Sequence, residues 1–206
     1  MDFDFSQMTG PDRYKLMSAS ITPRPIAWIT TLSKEGVRNA APYSFFNMMG
    51  ADPALVAIGL MRRPDGSYKD SAQNIIDTGE FVVNLVGEPD AAAMNVTCID
   101  APPEVDELTD AGLETAPSLG VAPPRIASAP VSMECRLFHR LDAGLSTIVL
   151  GEVRHFHIKD ELVDADRLHV DTLAMQLVAR MHGAGWYTRS TDLFQLVRPH
   201  YGCVGR

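Results

Sequence analysis

The chain has 206 residues, of which 46% are hydrophobic and 21% are charged, a balance typical of a globular domain rather than a disordered segment. Its formal net charge of -8 argues against nucleic-acid binding, because the phosphate backbone is attracted by clustered cations. No apolar run approaches the ~20 residues that span a bilayer, and the acidic start MDFDFSQMTG lacks the features of a signal peptide. We therefore expect a protein that is not embedded in a membrane.

The cysteine pattern points to a reducing compartment. The chain has three cysteines, Cys98, Cys135 and Cys203, which lie far apart in the sequence. Their number is odd, and no two of them form a CxxC pair. We expect neither a disulfide framework nor a zinc site, and a cytoplasmic location follows as the simplest expectation.

Taken in chain order, the apolar and β-branched runs predict a mainly β protein. Strands are predicted at 26–32, 37–41, 55–60, 81–86, 131–140 and 147–158. Pro42 is expected to end the second strand, because proline cannot donate to a ladder. Helices are predicted at 70–80, with Asp70 or Ser71 as N-cap and Gly79 at the end, at 88–97 and at 171–181.

Five or more strands with few helices between them favour a closed antiparallel barrel with peripheral helices over a doubly wound parallel sheet. No GxGxxG follows any predicted strand, so a Rossmann nucleotide site is not indicated. We predict one domain over 1–206. The proline-rich segment at about 99–129 is too long for an ordinary loop, and we expect it to carry function or to cover a partner.

The segment RRPDGSYKDSAQN suggests an anion site. Arg62, Arg63 and Lys69 bring positive charge to the start of a predicted helix, and Ser67 and Ser71 add hydroxyl groups. A helix N-terminus offers free N–H groups and a positive dipole end. A solvated turn before a capped helix explains the same residues, and both interpretations stay open here.

The preceding segment NAAPYSFFN could bind a planar heterocycle. Asn39, Tyr43, Ser44 and Asn47 carry hydrogen-bonding groups, while Trp28, Phe45 and Phe46 could flank an apolar ring. The alternative is that the aromatic residues belong to the core and that the polar ones decorate a turn.

Two histidines on one predicted strand need a separate interpretation. His155 and His157 are two residues apart, so they share one face of the strand and could bind a metal. No third ligand is evident nearby, and we therefore expect exposed strand histidines and no metal site.

Four motifs together resemble a known family. TPRPIAWITTLSKEGVRNAAPYSFFN, KDSAQNIIDTGEFVVNLV, GEVRHFHI and ARMHGAGWYTRSTDLFQLVRP are similar, in this order, to flavin reductase-like proteins of the FMN-binding split-barrel superfamily, and to its flavoredoxin-like subgroup. The resemblance implies a six-stranded antiparallel Greek-key split β-barrel, a homodimer, and FMN held near the dimer interface. It also implies NAD(P)H-linked flavin reduction or electron transfer from bound FMN.

Carried over residue by residue, the resemblance assigns three groups of cofactor-binding positions. Along the flavin and its ribityl chain lie Trp28, Thr30 and Thr31. Around the ring edge, partly through the backbone, lie Asn39, Ala41, Pro42, Tyr43, Ser44 and Asn47. At the phosphate lie Lys69, Asp70 and Ser71, with Arg63 as a helper. Arg24 is a weaker candidate that either touches the cofactor or braces the strand entry.

His182 stands near a position where relatives often have glycine, so it either lines the pocket over the flavin or points to solvent. No catalytic acid or base is expected, because hydride transfer depends mainly on stacking and orientation. The resemblance favours an FMN-dependent NAD(P)H oxidoreductase whose acceptor could be a partner monooxygenase. The alternatives are a non-enzymatic FMN-binding electron carrier and a sensor module.

Overall fold

The structure is a computed structural model, and it describes residues 1–198. Pro199, the last residue of the fourth quoted motif, and Cys203 lie outside the described residues. The α-helices are α1 (Gly10–Ser20), α2 (Asp70–Thr78), α3 (Ala91–Val96) and α4 (Glu107–Asp110). Short 3-10 helices cover Phe5–Gln7, Glu88–Asp90 and Asp160–Leu162. The strands are β1 (Ala27–Leu32), β2 (Arg38–Tyr43), β3 (Phe46–Ala51), β4 (Ala54–Met61), β5 (Glu80–Asn84), β6 (Thr115–Ala116), β7 (Arg125–Ile126), β8 (Val131–Ala143), β9 (Ser146–Ile158), β10 (Val163–Asp164), β11 (His169–Val170), β12 (Val178–Arg180) and β13 (Tyr187–Arg189).

Seven strands form one antiparallel sheet in the order β2-β1-β5-β8-β9-β4-β3. The predicted mainly β class and the antiparallel pairing are therefore confirmed. The sheet has one strand more than the expected six, because Phe46–Ala51 pairs with β4 as an additional edge strand. The expected closed barrel is not seen among the described residues, because the two edge strands β2 and β3 do not pair with each other. Most of this strand is exposed, so its sequence lacks the alternation that predicts a half-buried strand. The prediction of one domain over 1–206 includes undescribed residues and stays a prediction.

The predicted helix at 171–181 is wrong. This segment turns and then forms β12, which pairs with β13. The backbone of Arg180 also forms a bridge with Arg24, and the Val178 N–H donates to the carbonyl of Val86 at 3.0 Å. Tertiary backbone pairing therefore overrides the local helical preference.

Helix α2 agrees with its prediction except at the cap. It ends at Gly79, whose φ of 74° is the left-handed conformation that glycine adopts without a steric penalty. The N-cap is Lys69 rather than Asp70 or Ser71. Helix α1 was not predicted because Ser18 is its only buried residue, which leaves no apolar periodicity in the sequence.

The sheet separates two apolar clusters, and successive residues of β1 contribute to opposite ones. Ile29 packs with Ile58, Phe81 and others in the first cluster. Trp28 packs in the second with residues from α3, α4 and β7, so the proline-rich segment is folded against the sheet. No helix within residues 1–198 is both long and apolar enough to cross a membrane.

Candidate functional site

An open cleft of about 510 Å³ lies where β2 ends and α2 begins. Its other walls come from the residues after α3 and from the first residue of α4. The lining residues are Asn39, Ala41, Pro42, Tyr43, Arg63, Lys69, Asp70, Ser71, Thr97, Cys98, Ile99, Asp100 and Glu107. Eight of the thirteen predicted cofactor-binding positions, from Asn39 to Ser71 in this list, therefore line one cleft.

The N-terminus of α2 opens on this cleft without a side-chain cap. Its first-turn N–H groups have no intrahelical acceptor, as in every α-helix. Lys69 precedes the helix, and its Nζ lies 2.8 Å from an Oδ1 atom of Asp100. Arg63 Nη2 lies 3.1 Å from the carboxylate of Asp70. The two cations of the cleft are thus both paired with carboxylates that line the same cleft.

A hydrogen-bonded network fixes α2 against the sheet. The Asn39 amide donates to the Ser71 hydroxyl at 2.8 Å and to the Thr31 hydroxyl at 3.3 Å. The Asn74 amide donates to Thr31 at 3.0 Å. All four residues are buried, so the network sets the distance between the α2 terminus and β2. Thr31 acts here as a buried support and does not line the cleft.

The expected stop at Pro42 is wrong, because Pro42 pairs with Trp28 and Tyr43 pairs with Ala27. The backbone N–H and C=O groups of β2 that face the cleft have no ladder partner because β2 is an edge strand. In an antiparallel strand the backbone groups of alternate residues point to the same side. The Ala40 N–H points outward to Glu107 at 3.2 Å, so the Pro42 carbonyl also points outward. Proline fits this position because its missing N–H faces away from β1.

Burial raises the pKa of two titratable residues of the cleft, Tyr43 and Glu107. Removal from solvent raises the pKa of Tyr43 to about 12, so its hydroxyl stays protonated near neutral pH. Burial also raises the pKa of Glu107, whose carboxylate accepts the Ala40 N–H. Hydrogen bonding to Lys69 lowers the pKa of Asp100. Asp100 therefore carries a full negative charge near neutral pH.

Two further clefts adjoin the first and share Pro42, Tyr43 and Ser44 with each other. The second, of about 720 Å³, extends between α3 and the β12–β13 hairpin. The third, of about 520 Å³, extends toward Tyr14, Phe45 and Met61. The three clefts form a groove centred on Pro42 and Tyr43.

The remaining predicted positions lie behind or beside this groove. Trp28 is fully buried, and its Nε1 donates to the Thr97 hydroxyl at 2.9 Å, so it supports a lining residue. The Thr30 hydroxyl donates to the Pro124 carbonyl in the proline-rich segment. Asn47 is exposed on β3 and accepts the N–H of Met48. The structure does not bring these three side chains into the groove.

Arg24 is buried and braces the strand entry. Its guanidinium donates to the carbonyls of Ile21 and Met181 and to the Ser44 hydroxyl. It thus links α1 and the 181–186 loop to the ring-edge segment.

His182 is exposed in the 181–186 loop and stacks on Trp186 with ring centroids 6.1 Å apart. Ala184 and Gly185 line the second cleft, whereas His182 does not.

The histidines of β9 differ from each other. His155 is exposed, but His157 Nε2 lies 2.6 Å from the fully buried Glu134. Glu134 also accepts the N–H groups of Leu119 and Gly120, so the pair holds the proline-rich segment on the sheet. Within residues 1–198 no group of three potential metal ligands occurs. The expectation of two exposed histidines is therefore correct only for His155.

Several lining residues were missed from the sequence. They lie at 97–100 and 107 in the first cleft, and the second adds Met94, Asn95, Arg180 and Tyr187. The unusual length of the proline-rich segment was a general signal for the first group. In the second group, Arg180 and Tyr187 belong to the quoted ARMHGAGWY segment. The β12–β13 hairpin is held beside the groove by backbone pairing of Arg180 with Arg24 and of Val178 with Val86, and no local pattern reports this pairing of distant segments.

Comparison with known proteins identifies the family. Residues 17–176 match the family model described as "Flavin reductase like domain". The chain therefore belongs to the flavin reductase-like family, which implies a flavin cofactor and an oxidoreductase.

Solved structures agree with this assignment. The chain is similar to 2-nitrobenzoate 2-nitroreductase NbaA of Pseudomonas fluorescens, with 36% identity, 98% of each chain covered and a TM-score of 0.88. It is also similar to nitrilotriacetate monooxygenase component B from Bacillus cereus, with 32% identity, 95% of this chain and 98% of the other covered and a TM-score of 0.90. A protein from Shewanella frigidimarina, described as a flavin reductase with a split barrel domain, covers 97% of this chain and 100% of its own at a TM-score of 0.80 and 20% identity. The fold is thus the split-barrel fold of flavin reductases.

The residues of the first cleft fit a phosphorylated flavin. The cleft offers a set of hydrogen-bond donors suited to a phosphate: Lys69, Arg63, the Ser71 hydroxyl and the uncapped N-terminus of α2. The outward backbone of β2 supplies hydrogen-bonding groups for the edge of a polar ring. Three carboxylates in the same cleft oppose an anion, although two of them are already paired with the cations.

Proposed function

We propose that this chain binds FMN in the first cleft and acts as an NAD(P)H-dependent flavin oxidoreductase. The observation that carries the proposal is the meeting of an uncapped helix terminus, Lys69 and Arg63 with the free edge of β2 in a single cleft. One region suits a phosphate and the other suits a hydrogen-bonding ring edge. The choice of FMN rather than FAD and the use of NADH or NADPH as the electron donor are both part of this proposal.

In this proposal the phosphate lies at the start of α2. Lys69 and Arg63 supply charge, Ser71 a hydroxyl, and the first turn of α2 its free N–H groups. Asp70 contributes its backbone N–H, while its carboxylate stays with Arg63. Asp100 has to release Lys69, which costs little because its side chain is 80% exposed.

The ring edge then lies along β2, beside Ala41, Pro42, Tyr43 and Ser44. When bound, FMN supplies two-electron chemistry that the side chains lack. The chain positions the ring and leaves the adjoining second cleft for a donor or acceptor. The similarity to nitrilotriacetate monooxygenase component B supports a role in supplying electrons to a partner monooxygenase.

A second candidate function is direct reduction of a nitroaromatic compound. It is favoured by 36% identity over 98% of the chain to NbaA, together with the partly apolar second cleft beside Pro42 and Tyr43. Both candidates need the same flavin site, so they differ only in the final acceptor.

Equilibrium binding and turnover test the proposal. The purified chain should quench FMN fluorescence and bind riboflavin at least about 10-fold more weakly, because riboflavin lacks the phosphate. It should oxidise NADH or NADPH when FMN is present. Equal affinity for FMN and riboflavin would contradict the phosphate site. FMN binding without nicotinamide oxidation would favour the electron carrier or sensor.

We also propose a homodimer. Met48 and Met49 lie on the edge strand β3 and are exposed by 65% and 57%, and a second copy packed on this edge would cover them. Light scattering should give twice the 22.5 kDa chain mass, and Met48→Glu should shift the mass toward the monomer. A wild-type monomer that still binds FMN tightly would exclude the dimer as a requirement for the site.

A further inference from the structure

The second cleft contains one charged side chain among its lining residues, and this side chain is Arg180. The other walls are apolar or neutral, including Ile26, Met94 and the ring of Tyr187. The whole chain carries a formal net charge of -8, so a lone cation in a neutral cleft stands out against an acidic surface.

Arg180 is held in place on several sides. Its backbone bridges to Arg24, with N–H···O distances of 2.8 and 3.0 Å. Its guanidinium lies over the Tyr187 ring at 4.9 Å and donates to the Gly183 carbonyl at 2.9 Å. No carboxylate in the described part of the chain forms a salt bridge with it. A guanidinium has five N–H donors, so most remain available to a ligand.

The cleft has walls suited to a ring as well as to a charge. Tyr187 and Tyr43 are aromatic, and Asn95 adds an amide. Pro42, Tyr43 and Cys98 line both the first and the second cleft, so a ligand in the second cleft lies beside the proposed flavin site. This arrangement fits a planar molecule that carries one anionic group at a distance from its reacting ring.

We propose that Arg180 is a specificity-determining residue that binds the anionic group of the second substrate, a planar ring compound bearing a carboxylate or a phosphate. The inference rests on the proposed function, because it places this substrate beside the flavin cleft. A carboxylate on an aromatic acceptor and a phosphate on a nicotinamide nucleotide share the chemistry that a guanidinium recognises. The experiment separates these two sources.

The test compares charged and neutral versions of each substrate. For the acceptor these are 4-nitrobenzoate and 4-nitrobenzamide, and for the donor NADH and reduced nicotinamide riboside. Arg180→Gln should raise KM for the anionic member of one pair by about 10- to 100-fold, because a charge-assisted hydrogen bond is lost. The neutral member should change less than about 3-fold, and Arg180→Lys should restore part of the loss. The pair that responds identifies the source of the anion.

Arg189→Gln is the matched control. Arg189 lies on the same hairpin and carries the same charge, but its guanidinium pairs with Glu88 outside the cleft. This variant should leave all four KM values unchanged. Equal effects of Arg180→Gln on charged and neutral substrates, or an equal effect of Arg189→Gln, would overturn the proposal.

A second readout does not need flavin turnover. Cys98 is exposed at the junction of the clefts, whereas Cys135 is buried. In the flavin-free protein, the anionic ligand should slow alkylation of the Cys98 peptide, followed by mass spectrometry, in wild type but not in Arg180→Gln. Absence of protection by both 4-nitrobenzoate and NADH would refute the Arg180 site. Normal FMN binding in that case would leave the proposed function standing. Failure of FMN binding with protection intact would remove the proposed function and would leave Arg180 as an anion site without a flavin beside it.

Discussion

The first and second clefts share Pro42 and Tyr43 but hold their charges differently. In the first cleft, Lys69 and Arg63 each lie within 3.1 Å of a carboxylate. In the second, Arg180 has no carboxylate partner among residues 1–198. The first cleft is therefore internally neutralised, whereas the second presents an uncompensated cation.

This difference has a consequence for binding. An anion in the first cleft has to replace an existing partner, so its net gain is the difference between two ion pairs. An anion in the second cleft displaces no carboxylate of the described residues from Arg180. We therefore expect affinity in the first cleft to depend on many groups together, and selectivity in the second to depend mainly on one.

The largest expected effect comes from removing Lys69, the cation that would exchange the Asp100 carboxylate for the phosphate. Lys69→Ala should weaken FMN binding by about 1.5–3 kcal/mol, because a charge-assisted hydrogen bond to the phosphate is lost. Riboflavin affinity should change much less. Fluorescence titration with both ligands measures the difference.

The matched control uses the other lysine–carboxylate pair on α2. Lys34 Nζ lies 3.2 Å from Asp77 near the C-terminal end of this helix. Lys34→Ala makes the same chemical change away from the cleft and should leave both affinities unchanged. Equal losses for FMN and riboflavin in Lys69→Ala would show that Lys69 does not bind the phosphate.

A smaller effect of opposite sign is expected at the partner of Lys69. Asp100→Asn frees the ammonium group and should strengthen FMN binding by up to about fivefold, the scale of an exposed ion pair. Lys69 holds the pKa of Asp100 below its usual value, so the pair forms above about pH 4 and is lost only at lower pH. The gain should therefore be equal at about pH 7.5 and about pH 8.5, where the phosphate of FMN is also mainly a dianion. Asp77→Asn should show none, and weaker FMN binding in Asp100→Asn would mean that Asp100 helps the ligand instead of competing with it.

The sequence predicted the regular parts of the site better than its irregular walls. The apolar runs of β1 and β5 and the glycine at the end of α2 encode their structure locally, and the KDS motif marked the helix terminus that opens on the first cleft. The role of Pro42 was misjudged, because only the strand order shows that β2 is an edge. The contributions of Asp100, Glu107 and Arg180 depend on long-range packing. No local pattern in their segments reports that packing.

The smallest effect is expected at His182, the loop residue beside the second cleft. His182 is exposed and stacks on Trp186, and it lines none of the three clefts that meet at Pro42 and Tyr43. His182→Gly should therefore change FMN affinity by less than about twofold. Its neighbours Ala184 and Gly185 do line the second cleft, so a looser loop should alter KM for the second substrate modestly, by about two- to threefold. Steady-state kinetics with the charged and neutral substrate pairs measure this change in KM.

The change in KM should be similar for both members of a pair, because a more flexible loop alters the shape of the cleft, whereas Arg180 sets its charge. A charge-selective change in His182→Gly would show that the imidazole shares the anion with Arg180, and the second cleft would then hold two interacting groups in place of one.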